Sequence, residues 1–185
     1  MAEHTCPTWI GHLLACPLRK FAQDPRKILG PHVREGMRVL DVGCAMGFFS
    51  LPLARLVGAA GQVVCVDLQE PMLRALERRA RKAGLLERIR TRACDSESLR
   101  LGDLAGQMDF ALAFAVVHEV RDRARLFTEI RAALKPGALL LLAEPVGHVG
   151  RAHFEATLAA ARTAGLDVAG TPAIRGSRSA LLRRE

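Results

Sequence analysis

The 185-residue sequence predicts an α/β domain in which buried parallel strands alternate with helices. Apolar runs of strand length recur along the chain, as at 39–42, 63–66 and 138–143, and such runs are typical of strands buried on both faces. Between these runs, apolar residues recur at helical spacing. The length suits one domain with a sizeable core, and we expect that domain to cover residues 1–185.

The predicted elements follow one another with short connections. Pro52 requires its helix to begin close by, because a proline is tolerated in the first helical turn. Lys135-Pro136-Gly137 is expected to end the helix that precedes the fifth strand. The predicted strands are 39–42, 63–66, 89–94, 108–117, 138–143, 166–169 and 179–182, and the main predicted helices are 48–57, 71–83, 126–134 and 154–161.

The turn after the first strand is the clearest candidate ligand site. Residues 39–47 read VLDVGCAMG. Gly43 and Gly47 lack a Cβ atom, so the backbone can approach a bound molecule, and the helix beginning near Phe48 directs free N–H groups at it. Asp41 lies at the carboxyl end of the strand, where open α/β sheets bind ligands. Its negative charge argues against a phosphate at this place and for a cationic ligand group.

A strand, a glycine turn and a helix also open the dinucleotide-binding fold, but the G-x-G-x-x-G spacing of that fold is not matched here. The second strand ends at Asp67, which lies 20 residues beyond Gly47. An acidic side chain at this place can accept hydrogen bonds from both hydroxyls of a ribose. Without a pyrophosphate loop, an adenosine that carries an amino acid fits better than NAD.

The glycine loop resembles the D-x-G-x-G-x-G loop of class I S-adenosylmethionine-dependent methyltransferases, with Ala45 in place of the middle glycine. The strand, helix, Leu-Lys-Pro-Gly, strand succession that begins at Met108 also resembles the small-molecule branch of that family. The resemblance spans about 37–185. It implies a three-layer Rossmann-like sandwich with a seven-stranded, mostly parallel sheet of order 3-2-1-4-5-7-6, an antiparallel seventh strand and helices on both faces. Residues 1–36, in which Trp9 and other apolar residues recur at helical spacing, would form an N-terminal helical cap over the cofactor or over a sheet face.

The resemblance implies S-adenosylmethionine as cofactor and S-adenosylhomocysteine as product. Asp41, Gly43 and Gly47 would hold the methionine end, Asp67 the ribose and Asp95 the adenine amino group. Asp95 has an alternative role as a turn residue that caps its own backbone. The full set of candidate cofactor-binding residues is Asp41, Gly43, Cys44, Ala45, Gly47, Asp67, Leu68, Asp95, Ser96 and Ala115.

The implied reaction transfers a methyl group to a small-molecule acceptor by in-line displacement. Its main requirement is an acceptor held on the far side of the methyl group in a water-poor pocket. His118, Glu119 and Glu144 follow the fourth and fifth strands and are the candidate catalytic residues. His118 suits the role of a base, and Glu119 or Glu144 suits orienting the histidine or a cationic acceptor. The alternatives are that His118 packs near the cofactor and that Glu144 hydrogen-bonds backbone at the strand end.

The net charge of +8, from 27 basic and 19 acidic residues, raises the alternative of an RNA or protein substrate. Many of the arginines lie at 74–92, where a solvated helix face accounts for them. Aromatic residues make up only 4% and there is no tyrosine, which disfavours nucleic-acid recognition. The N-P-P-Y loop of amino-directed nucleic-acid methyltransferases is also absent, because residues 115–118 read AVVH. A cofactor-binding module without catalysis is the other alternative.

The five cysteines are scattered and odd in number, which argues against a disulfide framework and predicts reduced thiols. A thiol- or arsenic-directed methyltransferase would need cysteines such as Cys44 and Cys94 at the methyl group. No metal site is predicted, because His4, Cys6, His12 and Cys16 match no zinc-ligand spacing. No apolar run reaches 18 residues and the N-terminus lacks a signal-peptide layout, so we expect no membrane span and a cytoplasmic protein.

Overall fold

The computed structural model of the chain describes residues 23–185. Three short 3₁₀ turns, Leu86–Arg88, Gly102–Leu104 and Val117–Glu119, connect the main elements. In chain order those elements are α1 Pro25–Leu29, β1 Arg38–Val42, α2 Ser50–Leu56, β2 Gln62–Asp67, α3 Glu70–Lys82, β3 Ile89–Ala93, β4 Met108–Phe114, α4 Arg123–Ala133, β5 Leu134–Pro145, α5 Arg151–Thr163, β6 Leu166–Gly170 and β7 Ser177–Arg184.

The strands form one seven-stranded sheet of order β3-β2-β1-β4-β5-β7-β6. Strands β1 to β5 pair in parallel, and β7 is antiparallel to both of its neighbours. The predicted order and the predicted antiparallel strand are therefore confirmed. Strand order reverses between β1 and β4, and the carboxyl side of such a reversal is the usual ligand crevice of an open α/β sheet.

The core lies in two layers, one on each face of the sheet. Alternate residues along β1 enter different layers, since Leu40 belongs to one apolar cluster and Val39 to the other. Phe127 of α4 packs in the first cluster, whereas Leu53 of α2 and Leu76 of α3 pack in the second. Helices therefore cover both faces, which confirms the predicted three-layer sandwich.

Two predicted boundaries were wrong. Strand β4 ends at Phe114 instead of residue 117, because Ala115 takes a left-handed conformation with φ +58° and turns the chain. Helix α4 ends at Ala133, and the Leu-Lys-Pro-Gly segment begins β5 instead of ending the helix. The ladder is irregular there, since Met108 pairs with Leu134 and Phe110 with Leu139. An irregularity of this kind accommodates Pro136, which has no N–H to donate to a ladder.

At the start of the described chain, the carboxylate of Asp24 accepts a hydrogen bond of 2.9 Å from the Arg26 amide, and Pro25 opens α1. An aspartate cap followed by proline at the first helical position is a common start of a helix. The predicted helix around Trp9 and the four residues His4, Cys6, His12 and Cys16 lie outside the described residues. Within residues 23–185 there is no group of three or more metal-ligating side chains, and no helix there is long and apolar enough to cross a bilayer. The described cysteines Cys44, Cys65 and Cys94 are free thiols.

Candidate active site

The candidate residues meet at the carboxyl edge of the sheet. Asp41 and Asp67 lie at the ends of β1 and β2, and Glu144 lies at the end of β5. Ala115 and His118 belong to the loop that follows β4. Because β1, β2, β4 and β5 are parallel, their carboxyl ends share one edge, and loops from that edge surround one crevice.

The glycine loop is held against β2 by backbone hydrogen bonds. The amides of Gly43 and Cys44 donate to the carbonyl of Val66 at 2.8 and 3.1 Å. Gly43 and Gly47 have φ of +69° and +82°, and Ala45 has φ +45°. Ala45, which stands at the place of the middle glycine of the family pattern, thus adopts a left-handed conformation that is strained for a residue with a Cβ atom.

Packing supplies a second reason for both glycines. A Cβ atom at Gly43 would lie 2.4 Å from Cγ2 of Val116, and one at Gly47 would lie 2.3 Å from Cδ1 of Leu76. Both distances are far below ordinary van der Waals contact. The loop therefore sits directly against the loop after β4 on one side and against α3 on the other.

Asp41 is a buried carboxylate with 3% of its surface exposed. Its Oδ2 accepts a hydrogen bond of 2.6 Å from the Ser50 hydroxyl at the start of α2. Burial raises the pKa of Asp41 to about 7, and the nearby charge of Asp67 adds to the effect while Ser50 opposes it. A cationic ligand group would stabilise the ionised form. Sequence reasoning missed Ser50, because nothing in the spacing of a lone serine marks it as a carboxylate partner.

Asp67 joins the loops that follow β1 and β2. Its Oδ2 accepts from the Ala45 amide at 2.8 Å and its Oδ1 accepts from the Gln69 amide at 2.9 Å, while burial raises its pKa. A carboxylate has about four acceptor positions, so two remain for the hydroxyls of a ligand. The next residue, Leu68, exposes 41% of its surface and offers an apolar contact beside this carboxylate.

Asp95 caps the turn that follows β3. Its Oδ1 accepts from the amides of Glu97 and Ser98 at 2.9 and 2.7 Å, and its Oδ2 accepts from Nε of Arg100 at 3.1 Å. The two hydrogen bonds from backbone amides contribute most to lowering the pKa of Asp95, and the bond from Arg100 adds to the effect. Asp95 therefore has the turn-capping role that was its alternative. Ser96 lies exposed in the same turn. Contact of Asp95 with adenine stays a prediction.

Glu144 organises the loop after β4. Its side chain is 1% exposed and accepts hydrogen bonds from three successive amides, those of Val116 at 3.2 Å, Val117 at 2.9 Å and His118 at 3.2 Å. The same carboxylate lies 2.5 Å from Nδ1 of His118. Glu144 therefore has the backbone role that was one alternative, and it orients the histidine as well.

The Glu144 contact defines which nitrogen of His118 is available. Nδ1 faces the carboxylate, and Nε2 lies 4.0 Å from Oε1 of Glu119. The hydrogen bond to Glu144 raises the pKa of His118, although burial opposes the shift. Burial also raises the pKa of Glu119. The ring of His148 meets that of His118 edge-on with centroids 5.9 Å apart, so the two histidines are neighbours.

Three aromatic side chains pack together between the glycine loop and the end of β4. Phe49 contacts Phe48 edge-on with ring centroids 5.0 Å apart and lies 4.3 Å from the ring of Phe114. Each of the three is 9% exposed or less. The amide of Ala115 donates to the carbonyl of Ala143 at 2.7 Å, which ties the ends of β4 and β5 together beside these rings. Buried apolar side chains therefore lie close in sequence and in the sheet to the charged residues at the ends of β1 and β5.

The residues present fit a nucleoside that carries an amino acid. The buried Asp41 carboxylate lacks a cationic partner among the described residues, Asp67 retains acceptor capacity for hydroxyls, and Leu68 leaves apolar surface exposed beside it. These are the features that would hold S-adenosylmethionine through its ammonium group, ribose and adenine. Together with the sheet order, they define the class I S-adenosylmethionine-dependent methyltransferase fold.

Comparison with known proteins agrees with this class. Residues 39–137, more than half of the chain, match the methyltransferase-domain family, and the chain belongs to that family. A solved structure, an S-adenosylmethionine-dependent methyltransferase from Aquifex aeolicus, is similar over 97% of this chain and 98% of its own, with a TM-score of 0.86 and 24% identity. That likeness shows the shared fold.

Two curated relatives have higher sequence identity over part of the chain. A ubiquinone/menaquinone biosynthesis C-methyltransferase from Idiomarina loihiensis is 31% identical over 112 residues, which are 60% of this chain and 44% of the relative. The nocamycin O-methyltransferase of Saccharothrix syringae is 38% identical over 117 residues, which are 63% of this chain and 38% of the relative. The matched regions span less than half the length of both relatives.

Proposed function

We propose that the protein transfers a methyl group from S-adenosylmethionine to a small-molecule acceptor. The observation that carries the proposal is the pairing, at one sheet edge, of a nucleoside-type site at Asp41 and Asp67 with a histidine held by a buried glutamate. By their names, the two relatives described above act on small molecules, which supports that class of acceptor. A cytoplasmic location belongs to the same proposal.

Each part of the crevice has a distinct task in this proposal. Asp41 binds the cationic amino group, with the glycine loop around it, and Asp67 accepts from the ribose hydroxyls. The bound cofactor supplies a methyl group on a sulfonium, which the acceptor takes by in-line displacement. Phe49 and Phe114 keep water from the reacting atoms, because a water-poor pocket protects the transfer and strengthens its electrostatics.

His118 removes the proton when the acceptor is a hydroxyl or an amine. Its Nδ1 is held by Glu144, so its Nε2 is the nitrogen that faces the acceptor. Glu144 acts as a positioning residue, because it holds both the ring and the backbone of the loop that carries the ring. Glu119 lies beside Nε2 and would interact with a cationic acceptor or with the protonated ring.

Cofactor binding is the first test. Calorimetric titration of S-adenosylmethionine and S-adenosylhomocysteine into the intact protein should show binding that Asp67→Asn weakens by roughly 10-fold or more, the scale of losing charge-assisted hydrogen bonds. Asp167→Asn is the matched control, because Asp167 is exposed on β6 at the far edge of the sheet. Equal affinity in all three proteins would contradict the proposed site.

The acceptor class needs a second test. The protein is incubated with methyl-labelled S-adenosylmethionine and separate pools of small hydroxylated compounds, RNA and protein. We expect label in the small-molecule pool, with loss of transfer in His118→Ala. Label in the RNA or protein pool would contradict the proposed acceptor. Tight cofactor binding with no transfer to any pool would favour a module without catalysis.

A further inference from the structure

A cleft on one face of the sheet lies apart from the crevice described above. It opens beside β3, the edge strand, and has a volume of about 390 Å³. Arg38 and Gln62, the first residues of β1 and β2, line it at one end. Arg90 and Arg92 of β3 form its side, together with Asp103 from the 3₁₀ turn before β4.

Strand pairing explains why this cleft is basic. Val64 of β2 is paired with Leu40 of β1 and with Arg90 of β3, so these three side chains leave the same face of the sheet. Leu40 and Val64 belong to the buried core of that face, whereas Arg90 is exposed. Among residues 23–185 the core therefore stops at β2 on this face, and Arg90 takes the position that an apolar residue would hold if a helix of that range covered β3.

The charges in the cleft are only partly balanced. Three arginines and one aspartate line it, an excess of two positive charges. Arg92 forms a bidentate ion pair with Asp103, in which Nη1 lies 2.6 Å from Oδ1 and Nη2 lies 2.7 Å from Oδ2. The guanidinium of Arg38 hydrogen-bonds the uncharged amide oxygen of Gln107, and the guanidinium of Arg90 has no hydrogen bond or ion pair with any residue of the range 23–185. Arg38 and Arg90 thus retain their charges for a ligand.

The donors suit a phosphate group. Guanidinium groups bind phosphate oxygens through paired N–H donors, and Arg38 is already oriented by its contact with Gln107. Gln62 adds an amide at the same end, and β3 adds backbone N–H groups because an edge strand leaves one side unpaired. A volume of about 390 Å³ is within the range of small-ligand pockets, whereas a flat basic patch would suit a polymer.

We propose that this cleft binds the phosphate group of a small anionic ligand at a site separate from the methyl-transfer crevice. Gln62 in the cleft and Asp67 in the crevice are the first and last residues of β2, so they lie about 16 Å apart along the strand. The carboxylates of Asp41 and Asp67 disfavour an anion at the crevice, while the cleft presents the opposite charge. The proposal does not depend on the identity of the methyl acceptor.

The test is calorimetric titration of the intact protein with inorganic phosphate and with glycerol 3-phosphate at constant ionic strength, with chloride as the reference anion. Of inorganic phosphate and glycerol 3-phosphate, the ligand that binds the natural sequence more tightly should bind the double variant Arg38→Gln/Arg90→Gln at least 10-fold more weakly. Arg78→Gln/Arg81→Gln is the matched control, because it removes the same charge from exposed positions of α3. We expect that control to stay within 2-fold of the natural sequence.

S-adenosylmethionine binding is measured in the same three proteins, and it should be unchanged in the cleft variant. Unchanged cofactor binding shows that the variant is folded and separates this proposal from the proposed function. Phosphate binding no stronger than chloride binding overturns the proposal, as does equal weakening by both double variants. Saturable binding of a single-stranded RNA oligonucleotide without binding of either small anion also overturns it and favours a nucleic-acid surface.

Discussion

The carboxyl edge of the sheet contains two buried carboxylates with opposite surroundings. Glu144, at the end of β5, accepts from three backbone amides and meets the ring of His118. Asp41, at the end of β1, has one hydroxyl partner, Ser50, among the described residues, and burial raises its pKa to about 7. The chain itself satisfies Glu144, whereas Asp41 has no cationic partner within residues 23–185.

The difference separates a structural carboxylate from a binding one. A buried charge that the chain surrounds with donors holds its loop in one conformation, whereas a buried charge with a single hydroxyl donor favours a ligand that supplies a positive group. The half of the crevice after β4 and β5 is therefore built around Glu144. The half after β1 and β2 has charge left for a cofactor.

The largest effect is expected for Glu144→Ala. The change leaves the amides of Val116, Val117 and His118 without their acceptor, and should lower the free energy of unfolding by about 3–5 kcal/mol. Urea denaturation measures it, with Glu155→Ala on the exposed face of α5 as the control. A loss below about 1 kcal/mol, as expected of exposed positions, would contradict the role of Glu144 in holding the loop after β4.

Asp41→Asn should act in the opposite direction on stability. The folded pKa of Asp41 is raised from 3.8 to about 7, so the natural protein loses stability as pH rises between these values. The asparagine variant avoids that loss and should be more stable at pH 8 by up to about 4 kcal/mol, while it binds S-adenosylmethionine more weakly. Denaturation at pH 4 and pH 8 measures the first effect and calorimetry the second.

Little difference in stability between the two proteins is expected at pH 4. A variant that is less stable at pH 8 and still binds the cofactor at full strength would show that Asp41 is a structural carboxylate like Glu144.

Gly43→Ala tests the contact between the two halves. The alanine would carry φ of +69° and place its Cβ 2.4 Å from Val116, so we expect a loss of roughly 2–4 kcal/mol from strain and overpacking together. Gly84→Ala is the control, because Gly84 has φ +66° and an added Cβ would have no atom of residues 23–185 within 4 Å. It should lose about 1–2 kcal/mol. Equal losses in the Gly43→Ala and Gly84→Ala variants would show that the glycine loop and the loop after β4 are not tightly packed against each other.

The smallest effect concerns the titration of His118. Its pKa is raised by Glu144, so the stability gained from this pair is fully present below the unfolded pKa and is lost as pH rises through the folded pKa. NMR titration should show a lower His118 pKa in Glu144→Gln. The rate of methyl transfer should rise with pH through the His118 pKa and shift with it in that variant. An unchanged pKa would contradict the pair.

Much of the fold follows from the chain alone. Apolar runs of strand length and glycine turns predicted the strands, and the resemblance carried by residues 39–47 and 134–137 implied the sheet order that the structure has. Local signals suffice here because a buried parallel strand needs a continuous apolar run, and a helix between strands needs an apolar stripe. Boundaries such as those of β4 and β5 were missed because they depend on pairing across the sheet.

For the site, the sequence determined which residue types stand at the ends of β1 and β2, and tertiary structure decided what each does. Asp41 meets Ser50 of the next helix, nine positions away, and Glu144 reaches amides 26 to 28 positions earlier in the chain. The Glu144 hydrogen bonds form only because β4 and β5 are neighbours in the sheet. Asp95 is the exception, because it caps its own turn through amides two and three positions away. The basic cleft likewise exists because pairing aligns Arg90 with two buried core residues, a relation that no spacing along the chain records.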